Sequence, residues 1–287
     1  MRKFLDAIFY LIVFIVIQFF VTYAVCAVWA VAEGIGNSLR SLMNGEGITT
    51  TQTIVIQVIS SIITLVIFLS LKWCRVSRAY LRSKPYGVLF WAGVAVLGTV
   101  IPSEVFLELV PLPDLTKGTL GDILGSRWGY LVVCIFAPIV EEVVFRGAIL
   151  RVLLEGTKGA EASRVKEDGV PQKEGAYRHW VAIAISALLF ALVHGNPAQM
   201  PHAFCIGLLL GWMFYRTGSI IPGIMLHWVN NTLSYVVYNL FPQYQDAKVI
   251  DLLGGDMLKV SLAIVFSLFI FIPAVYQLHL RMKKVED

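Results

Sequence analysis

From Phe4 to Ala32 the only charged side chain is Asp6, and an apolar run of that length is at home in a bilayer. A helix needs roughly 20 predominantly apolar residues to cross the hydrocarbon core. Besides Phe4–Ala32, the segments Thr53–Leu71, Tyr86–Val110, Trp128–Leu150, Trp180–Val193, Ala203–Tyr215, Ser219–Leu240 and Met257–Leu278 qualify or nearly qualify. The fifth and sixth are short, and short or interrupted spans often carry a binding site at membrane depth. The expected fold class is all-α, a polytopic membrane protein of eight transmembrane helices.

Composition excludes the main alternatives. The residues AVILMFWYC make up 57% of the 287-residue chain and charged residues only 15%, against about 45–50% and about 25% in soluble domains. A soluble globule cannot hide that much apolar surface behind so few charges. A soluble enzyme, a disordered tail and a nucleic-acid module are all excluded. The cysteines Cys26, Cys74, Cys134 and Cys205 form no C-x-x-C pair and read as small apolar residues.

Two features at the N-terminus mimic a signal peptide: Arg2 and Lys3 before the first run, and Ala30-Val31-Ala32 near its end. The run far exceeds an h-region of about 7–15 residues, so an uncleaved helix is expected. Counting Lys and Arg on alternate sides of eight spans puts seventeen on one side: Arg2, Lys3, the cluster from Lys72 to Lys84, the loop from Arg151 to Arg178, Arg216, and Arg281 to Lys284. The other side holds five: Arg40, Lys117, Arg127, Lys248 and Lys259. By the positive-inside rule both termini are expected to be cytoplasmic. The mixed-charge, Gly-rich stretch Glu155–Arg178 reads as a solvated, mobile cytoplasmic connector.

Ionisable side chains inside a bilayer are functional candidates by default, because each costs at least about 2.5–3.5 kcal/mol to insert. The fourth span holds Pro138-Ile139-Val140-Glu141-Glu142-Val143-Val144-Phe145-Arg146. Glu142 and Arg146, spaced i,i+4, share a face and can pair. Glu141 points about 100° away and is left for another partner. A positioned carboxylate is a usual general base. Pro138 lacks a backbone donor, which should kink the helix and free the carbonyl of Cys134. A purely structural staple remains an alternative for the Glu142–Arg146 pair.

The fifth span closes on Phe190-Ala191-Leu192-Val193-His194, placing an aromatic ring and an imidazole on one face. The seventh holds His227 and Asn231, again i,i+4, two hydrogen-bonding groups aimed at one point. Such a pair can bridge helices or serve a developing oxyanion. Other polar residues are less promising. His179 and His279 sit at basic borders and read as solvated, His202 borders the turn after His194, and Glu104 and Glu108 read as reaching the interface. Tryptophans near span ends, Trp228 among them, read as interfacial anchors.

In order, Glu-Glu-x-x-x-Arg, Phe-x-x-x-His and His-x-x-x-Asn resemble the CAAX-protease and bacteriocin-processing family of intramembrane glutamate proteases, which includes the Ras-converting endopeptidases. The resemblance covers roughly Trp128–Leu240. It implies one integral membrane domain with a three-helix N-terminal region (1–127), a catalytic core (128–240) interrupted by the loop 155–178, and a last helix with a cytoplasmic tail (241–287). It also implies catalytic roles: Glu141 activating water, His194 helping to hold it, Glu142 orienting the pair and Arg146 holding Glu142. His227 and Asn231 would bind the oxyanion, and Phe190 would wall the substrate site. The expected activity is an intramembrane endopeptidase acting on a membrane-associated protein or peptide within the lipid bilayer, with no cofactor and no nucleic-acid partner. A zinc site on Glu141, His194 and His227 is the alternative for the cofactor. A proton-coupled transporter or channel, or a non-catalytic membrane scaffold, is the alternative for the function.

Overall fold

The computed structural model describes residues 2–34, 47–162, 178–245 and 247–284, and among these every regular element is helical. Residues 163–177, the greater part of the connector expected between the fourth and fifth spans, lie outside the described residues. Each apolar segment read from the sequence falls on a helical run. These are α1 (Arg2–Glu33), α2 (Thr50–Ser70), α3 (Tyr86–Leu109), α4 (130–162), α5 (Arg178–Leu192), α6 (Met200–Thr217), α7 (Ile221–Leu240) and α8 (Met257–Arg281). Four of them, α1, α2, α3 and α8, are long and apolar enough to cross a membrane by length and composition.

Local chemistry sets several of the boundaries. Thr49 caps α2 reciprocally with Gln52, each side chain serving the other's backbone N–H. Gly218, at φ +70°, closes α6 in the left-handed conformation that glycine adopts without strain. Glu108 lies on the last turn of α3 and is half-buried. Its carboxylate accepts the backbone N–H groups of Val249 and Ile250, capping the short helix Val249–Leu252.

Burial is graded across the bundle. α1 and α8 present mostly apolar side chains outward, and a bilayer is the solvent that accepts such a surface. The Glu142–Leu150 stretch of α4 is buried at every residue, which marks α4 as the centre of the fold. Phe145, Ile149 and Leu150 pack there with Phe68 of α2 and with Ile183 and Phe190 of α5. α3 and α8 pack so closely that a Cβ on Gly98 would lie 2.7 Å from the Phe271 backbone nitrogen. α5 and α6 meet the same way, through Gly207 against Ala187 and Gly211 against Ile183. Small residues at helix crossings are the usual means of close approach in membranes.

Of three polar side chains read as peripheral, His279 is exposed as expected, and His179 and Trp228 are half-buried. His179 stacks on Tyr215 with centroids 4.1 Å apart, and His279 lies parallel to Trp212 at 6.4 Å. Trp228, expected at an interface, donates its indole N–H to Tyr130 inside the bundle at 3.0 Å.

Candidate active site

α4 changes its winding twice on the way to the site. Tyr130–Phe136 and Glu142–Leu150 are π-helical, with an α-helical stretch, Ala137–Glu141, between them. Wide turns of this kind are rare and concentrate at functional sites. The first runs up to Pro138 and sets which bond the proline breaks. Ala137 bonds five residues back, to the carbonyl of Val132, so the next donor in that register belongs to residue 138 and its acceptor is Val133. Proline has no N–H to give. The orphaned carbonyl is therefore that of Val133 rather than of Cys134, the one a regular helix would free. The side-chain amide of Asn231 takes it at 2.8 Å.

The second wide turn carries Glu142 and Arg146. The two form the expected pair, with Nη1 donating to Oε1 at 2.9 Å, and both side chains are essentially sealed from solvent. Arg146 also donates from Nη2 to the carbonyl of Gly207 and lies with Cζ 4.4 Å from the centroid of the Phe190 ring. That is within cation–π range. Glu142 Oε2 has no hydrogen-bond partner and presses on the first turn of α7, where a Cβ on Gly223 would approach it to 2.5 Å. Only a glycine there lets the carboxylate sit against the positive end of α7. Nothing in the sequence pattern singled out Gly223.

His227 lies between the two glutamates. Its Nε2 is 3.6 Å from Glu141 Oε2 and its Nδ1 is 3.5 Å from Glu142 Oε1. Both separations exceed ordinary hydrogen-bond lengths. Glu141 Oε2, Glu142 Oε2 and His227 Nδ1 are buried atoms without a hydrogen-bond partner. The Glu141 side chain retains 22% exposure while that of Glu142 retains none, so Glu141 is the accessible member of the pair. His227 and Asn231, expected to aim at one point, address different groups: the histidine the two glutamates, the asparagine the α4 backbone at Val133, about two turns before them.

His194 is set by the end of α5. Its N–H bonds the carbonyl of Ala191 and Gly195 follows at φ +60°, so the helix tightens and stops. That leaves the Phe190 carbonyl to the His194 ring, 2.8 Å from Nδ1. A carbonyl only accepts, so Nδ1 carries the proton and Nε2 offers its lone pair outward. The turn itself is pinned by Asn196, which is fully buried. It accepts from Leu115 N–H at 3.1 Å and donates to Asp114 and Thr116 at 2.8 and 2.7 Å. Asn196 was missed in the sequence because its partners lie some 80 residues away.

Phe190 makes edge contacts with both imidazoles, its centroid 5.0 Å from His194 and 5.7 Å from His227, and it also packs on Phe145. It is 1% exposed and packs against the two imidazoles and the Phe145 ring. The alternative zinc ligands Glu141, His194 and His227 do not form a set. Among the described residues no three His, Cys, Asp or Glu side chains are grouped to hold a metal ion.

Residues 123–233 match the family model of Rce1-like proteins, described as type II CAAX prenyl endopeptidase Rce1-like. The matched segment contains every residue just described on α4, α5 and α7. That is a peptidase family, and with the apolar helices the match supports an integral membrane protease of the CAAX type acting on membrane-associated protein. No curated protein and no solved structure matches the chain.

Proposed function

We propose that the protein is an intramembrane endopeptidase that hydrolyses a peptide bond of a membrane-associated protein or peptide with water activated by Glu141. The observation that carries this reading is the cluster of buried, unpartnered atoms around Glu141, Glu142 and His227, most accessible at Glu141. Burying polar atoms without partners costs about 1–3 kcal/mol each, a cost expected where a reaction will use them.

In this mechanism Glu141 takes a proton from a water that the free Nε2 of His194 helps to orient. The hydroxide formed attacks the scissile carbonyl. His227 and the second amide hydrogen of Asn231 donate to the resulting oxyanion. The bond to nitrogen then breaks and the amine leaves with the proton held by Glu141. Glu142 keeps the His227 ring in place, and Arg146 holds Glu142 still. In this proposal water activation, oxyanion binding and proton return all fall to side chains, and among the described residues no three His, Cys, Asp or Glu are grouped to hold a metal ion. The chain crosses the bilayer eight times with both termini cytoplasmic, and Glu141 then falls at membrane depth near the middle of the span Trp128–Leu150.

The test is to compare membrane proteomes of cells carrying the wild type or Glu141→Ala and to map new peptide ends. New termini on membrane-associated proteins that require Glu141 support the reading. Identical sets of termini refute it.

A further inference from the structure

We propose that His202 is a positioning residue for this reaction, fixing through Asn230 the amide of Asn231 that serves the oxyanion. The proposal rests on the endopeptidase reading above.

His202 stands on the first turn of α6, half-buried between α3 and α7. Its Nδ1 is 2.8 Å from the hydroxyl of Ser103 on α3 and its Nε2 is 3.0 Å from Oδ1 of Asn230 on α7. Asn230 donates from Nδ2 to Oδ1 of Asn231 at 3.1 Å, and Asn231 donates from Nδ2 to the Val133 carbonyl at 2.8 Å. The chain has one direction, and its far end dictates it. The Val133 carbonyl, orphaned by Pro138, can only accept, so Asn231 must turn its nitrogen to α4 and its oxygen to Asn230. Asn230 must then present its own nitrogen there, which turns its oxygen to His202. That oxygen also only accepts, so His202 carries its proton on Nε2 and accepts the hydrogen bond of the Ser103 hydroxyl on Nδ1. Every member is a donor to the next, and each bond polarises its neighbour.

The result is an asparagine whose rotamer is held from two sides, by the α4 backbone and by the His202–Asn230 arm. Without that arm Asn231 Oδ1 loses its donor, and the amide is free to flip and point its oxygen at the oxyanion. A flipped amide repels the charge it should stabilise. The required tautomer of His202, Nε2–H, is the opposite of that derived for His194.

Two measurements on the full-length protein in lipid test this. With ¹⁵N-labelled histidine at neutral pH, solid-state NMR should show His202 neutral and protonated at Nε2, assigned by the signals lost in His202→Gln. A proton on Nδ1 overturns the chain whatever the protein's activity. In cleavage assays Asn230→Asp keeps the acceptor for His202 but loses the donor to Asn231. Its kcat should fall about 10–100-fold, the scale of a misplaced group, while KM stays within ~3-fold. His202→Ala should lose as much, and His202→Gln, which restores a donor toward Asn230, should recover most of it. Wild-type kcat in His202→Ala, or no gain from glutamine over alanine, overturns the proposal. A wild type that cleaves nothing while His202 shows the Nε2 proton refutes the endopeptidase reading and leaves the chain standing.

Discussion

Glu141 and Glu142 are adjacent, yet only Glu141 is accessible, so equal substitutions should have unequal meanings. Glu141→Gln keeps size and polarity, and should fold normally while cleavage falls about 10²–10⁴-fold, the usual worth of a general base. Glu142 and Arg146 are a sealed pair. Removing one partner strands a buried charge and costs about 3–5 kcal/mol, whereas replacing both with apolar residues is often neutral. Thermal unfolding should therefore rank Arg146→Leu well below the double variant Glu142→Leu/Arg146→Leu. The reverse order would contradict the pair as described. The sequence made Glu142–Arg146 legible because i,i+4 spacing is local and survives even in a π-turn. Gly223 was not legible, since its importance lies in an atom it lacks, facing a carboxylate on another helix. Asn196 was missed for the same reason: its partners are set by packing between distant segments.

Between helices, missing methyl groups decide how closely α4 approaches its neighbours. Gly147 in the second wide turn faces Cys74, whose Sγ would lie 2.2 Å from a Cβ placed there. Burial, opposed by Arg151 and helped by Glu142, pushes the Cys74 thiol up to about 12. In the folded wild type Cys74 should therefore resist maleimide at neutral pH and react only on unfolding. Gly147→Ala cannot keep both groups in place and should expose Cys74 to labelling while lowering the unfolding temperature. Unchanged labelling with an unchanged unfolding temperature would show that α4 has slack there. Helix identity and order were legible because apolar runs announce themselves by length and composition. The changes of winding in α4 were only half legible. Pro138 announced a lost bond, but which carbonyl it orphaned depended on the register of the preceding turn, and that register is a tertiary outcome.

For the molecule as a whole, the seventeen-to-five distribution of basic residues under the eight-span reading puts the loop after α4 and the loop after α7 on opposite sides. Single cysteines at Ser163 and Ala247, in a background lacking the native four, should label from opposite faces of sealed vesicles. Labelling from one face would refute the eight-span topology. On the side assigned to the cytoplasm, Lys3 bonds Glu155 at 2.7 Å and Arg151 ties Glu155 to the Trp73 carbonyl, joining α1, α4 and the loop after α2. Burial works against the Glu155 charge, but Lys3 and Arg151 outweigh it and hold the carboxyl below its ordinary 4.5. A depressed folded pKa means the tie contributes stability above about pH 4.5 and loses it as the pH falls through the lower folded value. Glu155→Gln should therefore flatten the acid limb of the stability curve, and an unchanged limb would remove the tie from the account. The central claim is hydrolysis by a glutamate-activated water without a metal step, and purified protein in lipid vesicles tests it most directly. Single-turnover cleavage of a membrane-anchored peptide should survive exhaustive chelation and fall about 10²–10⁴-fold in Glu141→Gln. Activity lost on chelation and restored by stoichiometric zinc, or near-normal turnover by Glu141→Gln, would contradict it.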